Sequence, residues 1–195
     1  QAFISLYQIT FNEEWLNEAK SLIDYAIDSF YDEEEGFFFF TDHNSEALIA
    51  RKKEIFDNVI PSSNSIMASN LYDLCLLLDD ENYRLKAVRM VQKVTKLIKT
   101  EPQYLTNWAS ALSNLVQPTV EVVIIGENAQ EEAKKLHQYF IPNKVVLGAK
   151  GVGQSTLPLL ANRGLVNDAT TFYVCRNKTC QLPVNSLEAA LKQII

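Results

Sequence analysis

The apolar period of this chain changes at Pro118, and that change limits the fold more than any single motif. Upstream, apolar residues recur three and four apart, as on a helix face. Downstream, VEVVIIG at 120–126 is a continuous apolar run of the kind a buried strand makes. A chain that switches period this way must pack helices in one part and at least one sheet in another.

Four helices are expected before the switch, at about 10–30, 63–78, 82–99 and 104–116. The first carries Thr10 and Glu13 at capping-box spacing, then Trp15, Leu16, Ala19, Leu22, Ile23, Ala26 and Ile27 on one side. The second is apolar around most of its circumference, through Ile66, Met67, Leu71, Leu74, Cys75, Leu77 and Leu78, so burial on most sides is expected. The third alternates apolar residues with Arg84, Lys86, Arg89, Lys93, Lys96 and Lys99, a basic run read as a solvated face. Between the first two, Gly36 and an acidic run make a turn, and Phe37, Phe38, Phe39 and Phe40 favour a short extended segment. Alternating amphipathic and buried helices suit two concentric layers around an axial cavity. The fold class expected is therefore mainly α, an incomplete (α/α) toroid of helical hairpins with a small C-terminal α/β segment. Its domains would be 1–117 and 118–195.

After Pro118, strands are expected at 120–126, 144–147 and 171–175, with a helix at about 129–140 between the first two and a closing helix from about Asn185. Strand, helix, strand in that order predicts parallel pairing. KGVGQST at 150–156 lacks the Gly-Lys-Ser/Thr end of a phosphate loop and the full dinucleotide spacing, so no nucleotide cofactor is expected. Cys175 and Cys180 lack the further cysteines or nearby histidine that a tetrahedral metal set needs, and a structural thiol pair is the better reading. His137 reads as a satisfied surface histidine. No metal site is expected.

Lys and Arg number 18 against 24 Asp and Glu, and the net charge of −6 argues against a nucleic-acid partner. No apolar run reaches the ~20 residues that cross a bilayer, so no membrane partner and a cytoplasmic location are expected. The chain opens on Gln1, already inside an apolar pattern, which reads as a piece of a longer protein.

The candidate site is the polar segment that runs straight into the most buried helix, RKKEIFDNVIPSSNS at 51–65. Glu54 and Asp57 could act as an acid and base pair. Arg51, Asn58, Ser62, Asn64 and His43 would bind substrate, the last from a loop it shares with Asp42, Asn44 and Glu46. Carboxylates, amides, hydroxyls and nearby aromatic rings, among them Phe37 and Trp108, are the inventory of a carbohydrate site. The same residues also fit a scaffold, with Arg51 paired to a carboxylate and Ser62 or Asn64 capping the helix.

GFFFFTD, ARKKEIFDNVIPSSNSIMASNLYDL, PTVEVVIIG and FYVCRNKTCQLPV, in this order, resemble the C-terminal part of thioredoxin-domain-containing proteins. That family includes the bacterial DUF255 proteins and the spermatogenesis-associated thioredoxin-like proteins of animals. Its motif falls on Arg51, Lys53, Glu54, Asp57, Pro61, Ser62, Asn64 and Ser65, while Val59 and Ser63 depart from it. The resemblance implies a longer protein with an N-terminal thioredoxin-like domain, followed by a toroid related to six-hairpin glycosidases, of unsettled activity. Carbohydrate and the absent N-terminal part are the partners implied. The alternative is a noncatalytic scaffold or redox-partner module. A partial ring would leave apolar surface uncovered, so self-association of the isolated chain is also expected.

Overall fold

The computed structural model describes residues 1–45 and 50–194. Among them are seven α-helices and two sheets, of two and four strands. The molecule is mixed α/β, which overturns the mainly α toroid. The physical reason lies in the strands after Pro118: they are long and apolar enough to build a sheet with its own core, and that sheet takes the first helix of the chain as part of its cover. The residues form two compact units, one of residues 1, 17–75 and 80–116, the other of 2–16, 76–79 and 117–195.

The helix expected over 10–30 is present as α2 (Glu13–Phe30), and α1 (Ala2–Thr10), which the sequence reading did not expect, precedes it. Phe11 turns left-handed at φ 57°, and the Asn12 side chain accepts from the backbone N–H of Glu14, so Asn12 caps α2 in place of Thr10. The Thr10 hydroxyl bonds back to the Leu6 carbonyl instead.

The first unit continues with a hairpin of β1 (Tyr31–Asp32) and β2 (Phe37–Phe38), then α3 (Ser63–Leu78), α4 (Glu81–Thr100) and α5 (Thr106–Val116). The extended phenylalanine segment is present at Phe37–Phe38, and α3 is buried or partly buried at every position after Ser63. Gly36 turns the hairpin at φ 76°, where a Cβ would lie 2.9 Å from the Arg89 guanidinium; that guanidinium donates to the carbonyls of Glu33 and Glu34. Asp80 caps α4 through the N–H groups of Asn82 and Tyr83. Leu71, Leu74, Ala87, Met90, Leu105 and Trp108 are fully enclosed.

The second unit is built on the sheet order β4-β3-β5-β6, from β3 (Val120–Ile125), β4 (Lys144–Ala149), β5 (Thr171–Arg176) and β6 (Thr179–Cys180). β3 and β4 are parallel, as expected, and joined through α6 (Ala129–Leu136). β5 runs antiparallel to β3 and is followed by α7 (Leu187–Ile194). Every residue of β3 is buried, so this strand is covered on both faces. On one face Val122, Ile124, Val146, Phe172 and Val174 pack with Ala133 and Leu136 of α6 and with Ala190 and Ile194 of α7. α1 lies along the outer edge of the sheet. Its Gln8 side chain accepts from the backbone N–H of Val146 at 2.9 Å, giving a partner to a donor that an edge strand would otherwise leave open.

Candidate functional site

Asp57 organises the loop that leads into α3. It is 6% exposed, and its carboxylate accepts from three groups: the Ser62 N–H at 2.8 Å, the Ser65 hydroxyl at 2.8 Å and the Asn107 N–H at 2.9 Å. Ser62 is the residue that caps α3 and Asn107 lies in the first turn of α5, and at both helix starts backbone N–H groups lack partners within the helix and the dipole favours negative charge. One carboxylate therefore caps two helices. The Asp57 N–H donates to the Tyr104 carbonyl at 2.8 Å, fastening the same loop to the turn before α5.

The neighbouring bonds complete this fastening. The Ser62 hydroxyl accepts from the Ser65 N–H at 3.1 Å, the capping bond of α3. Asn64, fully buried, accepts from the Phe38 N–H and donates to the carbonyls of Phe38 and Glu54, so it continues the hairpin as a strand would. Trp108 donates its indole N–H to the Ile55 carbonyl at 2.7 Å and meets Phe37 edge to face.

The structure brings Asp57, Ser62 and Asn64 together as this buried network, with Ser65 of the same segment and with Asn107, which sequence reading did not place in a site. The other expected residues stand outside it. The Glu54 side chain is exposed, and only its carbonyl enters the network. Arg51 lies with its guanidinium 3.9 Å from the Phe39 ring centroid and donates to the Thr41 carbonyl. Lys53 approaches the same ring at 4.2 Å and pairs with Asp32 and Glu35. Burial opposes the Lys53 charge, yet its bonds to the two carboxylates prevail and hold it above the ordinary lysine value. His43 is exposed, with Nδ1 2.8 Å from the Ser29 carbonyl and 3.6 Å from the Asp42 carboxylate. Glu46, expected beside it, falls outside the described residues.

Asn58 opens onto a different feature. With Phe56, Glu101 and Tyr104 it lines a broad cleft of about 560 Å³. The two rings meet edge to face at 6.4 Å and 89°, and both residues are about half exposed, Phe56 at 44% and Tyr104 at 50%. Its walls are the two segments that Asp57 joins, so the buried carboxylate sets the shape of the cleft without lining it. Sequence reading did not reach Phe56, Glu101 and Tyr104 as site residues. The available signal was an aromatic directly before Asp57, and a Glu-Pro pair ending a basic helix.

In the second unit, a cleft of about 200 Å³ opens over the carboxyl ends of β3 and β4, where open α/β sheets hold ligands. Gly126, Gln130, Lys150, Gln154 and Ser155 are among its lining residues. Cys175 and Cys180 are joined in a disulfide. His137 is half-buried with Nε2 3.2 Å from the Gln8 carbonyl, and burial first, then Lys144, hold it below the ordinary histidine value against that bond.

The chain is 30% identical to human spermatogenesis-associated protein 20 over 193 residues, which are 94% of this chain and 25% of that protein. The rat protein of the same name is 30% identical over 94% of the chain and 24% of its own length. An uncharacterized Caenorhabditis elegans protein is 24% identical over 96% of the chain and 26% of its own length. The chain thus spans about a quarter of the length of the curated relatives it matches. No family model matches the chain. The similarities support kinship with the spermatogenesis-associated protein 20 family, and they carry no assignment of activity.

Proposed function

We propose that the first unit binds a carbohydrate in the cleft of Phe56, Asn58, Glu101 and Tyr104 and does not cleave it. The observation that carries this reading is the pairing of two half-exposed aromatic rings with an amide and a carboxyl group in one open cleft. Aromatic rings take the C–H surface of a sugar, while amide and carboxylate oxygens accept from its hydroxyls. Binding without cleavage follows from the position of Asp57. Its oxygens already accept three hydrogen bonds inside the protein, so in this reading Asp57 holds the two walls of the cleft together and is no member of an acid and base pair with Glu54.

The test is a glycan screen of the chain, followed by titration calorimetry of the sugars retained. Phe56→Ala and Tyr104→Ala are each expected to weaken binding by about tenfold, equivalent to about 1.4 kcal/mol. Glu54→Gln is expected to leave affinity unchanged. Retention of no sugar, or equal affinity in both aromatic variants, would overturn the reading.

A further inference from the structure

The Cys175–Cys180 disulfide sits where a structural staple contributes little and a reactive one is well served. β6 is the edge strand of the sheet, and Cys175 and Cys180 are direct partners across β5 and β6. Asn177 and Lys178, at φ 51° and 63°, already close this hairpin with the left-handed pair that favours a tight turn. A bridge across so short a loop constrains the unfolded chain least.

The two sulfurs stand in unequal surroundings. Cys175 is 1% exposed, whereas Cys180 lies partly open on the edge strand. Arg163 donates from Nη1 to the Cys175 Sγ at 3.0 Å. Its segment is held there by Tyr173, whose hydroxyl donates to the Gly164 carbonyl and accepts from the Gly164 N–H, and whose ring lies 5.4 Å from the guanidinium. On the other side of Cys175, in register on β3, is Glu121, an acid within an otherwise apolar strand and 2% exposed. Its carboxyl accepts from the Lys178 N–H in the hairpin turn. Burial raises Glu121 above the ordinary glutamate value, against the pull of that N–H and of Arg163 and Lys178.

We propose that Cys175 and Cys180 form a thiol–disulfide exchange site for a dithiol reductant, with Cys180 as the sulfur attacked and Cys175 as the leaving group stabilised by Arg163. The thiolate of the reductant attacks the Cys180 Sγ. The bond between Cys180 and Cys175 breaks, and its electron pair goes to Cys175, whose thiolate forms against the guanidinium. The second thiolate of the reductant then attacks its own sulfur in the mixed disulfide and releases Cys180 as a thiolate, which takes a proton from solvent. The reductant leaves as a disulfide, two electrons having passed to the protein. A leaving thiolate stabilised by a cation departs faster, which is the part Arg163 plays.

Dithiothreitol serves as the dithiol. Native chain is treated with it, quenched with iodoacetamide over time and read by mass spectrometry, with circular dichroism checking that the chain stays folded. The wild type is expected to be reduced while folded. Arg163→Gln is expected to slow reduction by about tenfold, the factor carried by one charged hydrogen bond, and to raise the pH at which the Cys175 thiolate appears by ultraviolet absorbance. Arg163→Lys, which keeps the charge, is expected to recover part of both changes. With the disulfide of glutathione as probe, Cys175→Ser is expected to form a mixed disulfide at Cys180 faster than Cys180→Ser forms one at Cys175. A bridge that yields to dithiothreitol only as the chain unfolds would overturn the proposal. So would a folded Arg163→Gln variant with unchanged rate and thiolate profile, or faster capture at Cys175.

Discussion

At the scale of single residues, the polar side chains of the 51–65 segment divide by what they touch rather than by type. Asp57 and Glu54 are both carboxylates three positions apart, yet one is enclosed by donors and the other faces solvent. Asp57→Ala leaves two helix starts and a hydroxyl without their acceptor, and a loss of about 3–5 kcal/mol in unfolding free energy is expected. Asp57→Asn keeps one oxygen acceptor and is expected to lose less. Denaturant unfolding of the two variants measures this order, and equal losses would contradict it. On α3, burial pushes the Asp73 carboxyl up to about 7. A folded value above the unfolded one means that its stabilising contribution is complete below pH ~4 and is lost as pH rises through about 7. Denaturant midpoints of the wild type are expected to fall across that window relative to those of Asp73→Asn. Parallel midpoint curves would contradict the shift.

Among the elements, the starts of helices are where the sequence was most and least readable. The bounds of α3 were readable from Pro61 and the Ser and Asn residues that can cap it, and its extensive burial from apolar residues around most of its circumference. The Thr10 and Glu13 pattern misled, because capping boxes also occur where the chain takes a different local hydrogen bond. Phe11 in the left-handed region ends one helix before the next begins. The close contact of Phe11 with β4 is similarly nonlocal: a Cβ on Gly148 would lie 2.3 Å from its ring. Gly148→Ala is therefore expected to destabilise the second unit by about 1–3 kcal/mol, the range of overpacked cores. Hydrogen exchange of the β3 and β4 amides measures it, and unchanged protection would show that the ring moves aside freely.

For the molecule as a whole, the second unit is discontinuous in sequence, since residues 2–16 join residues 117–195. Tyr7 is fully enclosed there, Ile4 nearly so, and Gln8 bonds the edge of β4. A chain lacking residues 1–12 is expected to lose protection of the β4 amides, with Val146 exposed first; a truncated chain that retains it would remove this role for α1. The relatives reach far beyond this chain, which spans about a quarter of their length. What the amino-acid sequence determined by itself is local: the switch of period at Pro118, three of the strands after it and the parallel first pair, the largely apolar α3, and two cysteines close enough to meet. Tertiary structure alone decided that the chain is no ring of helical hairpins, that α1 borders a sheet more than a hundred residues away, and that Asp57 caps two helices. The reason is physical: periodicity states which face of an element must be buried, whereas the partner that buries it is chosen by packing across the whole chain.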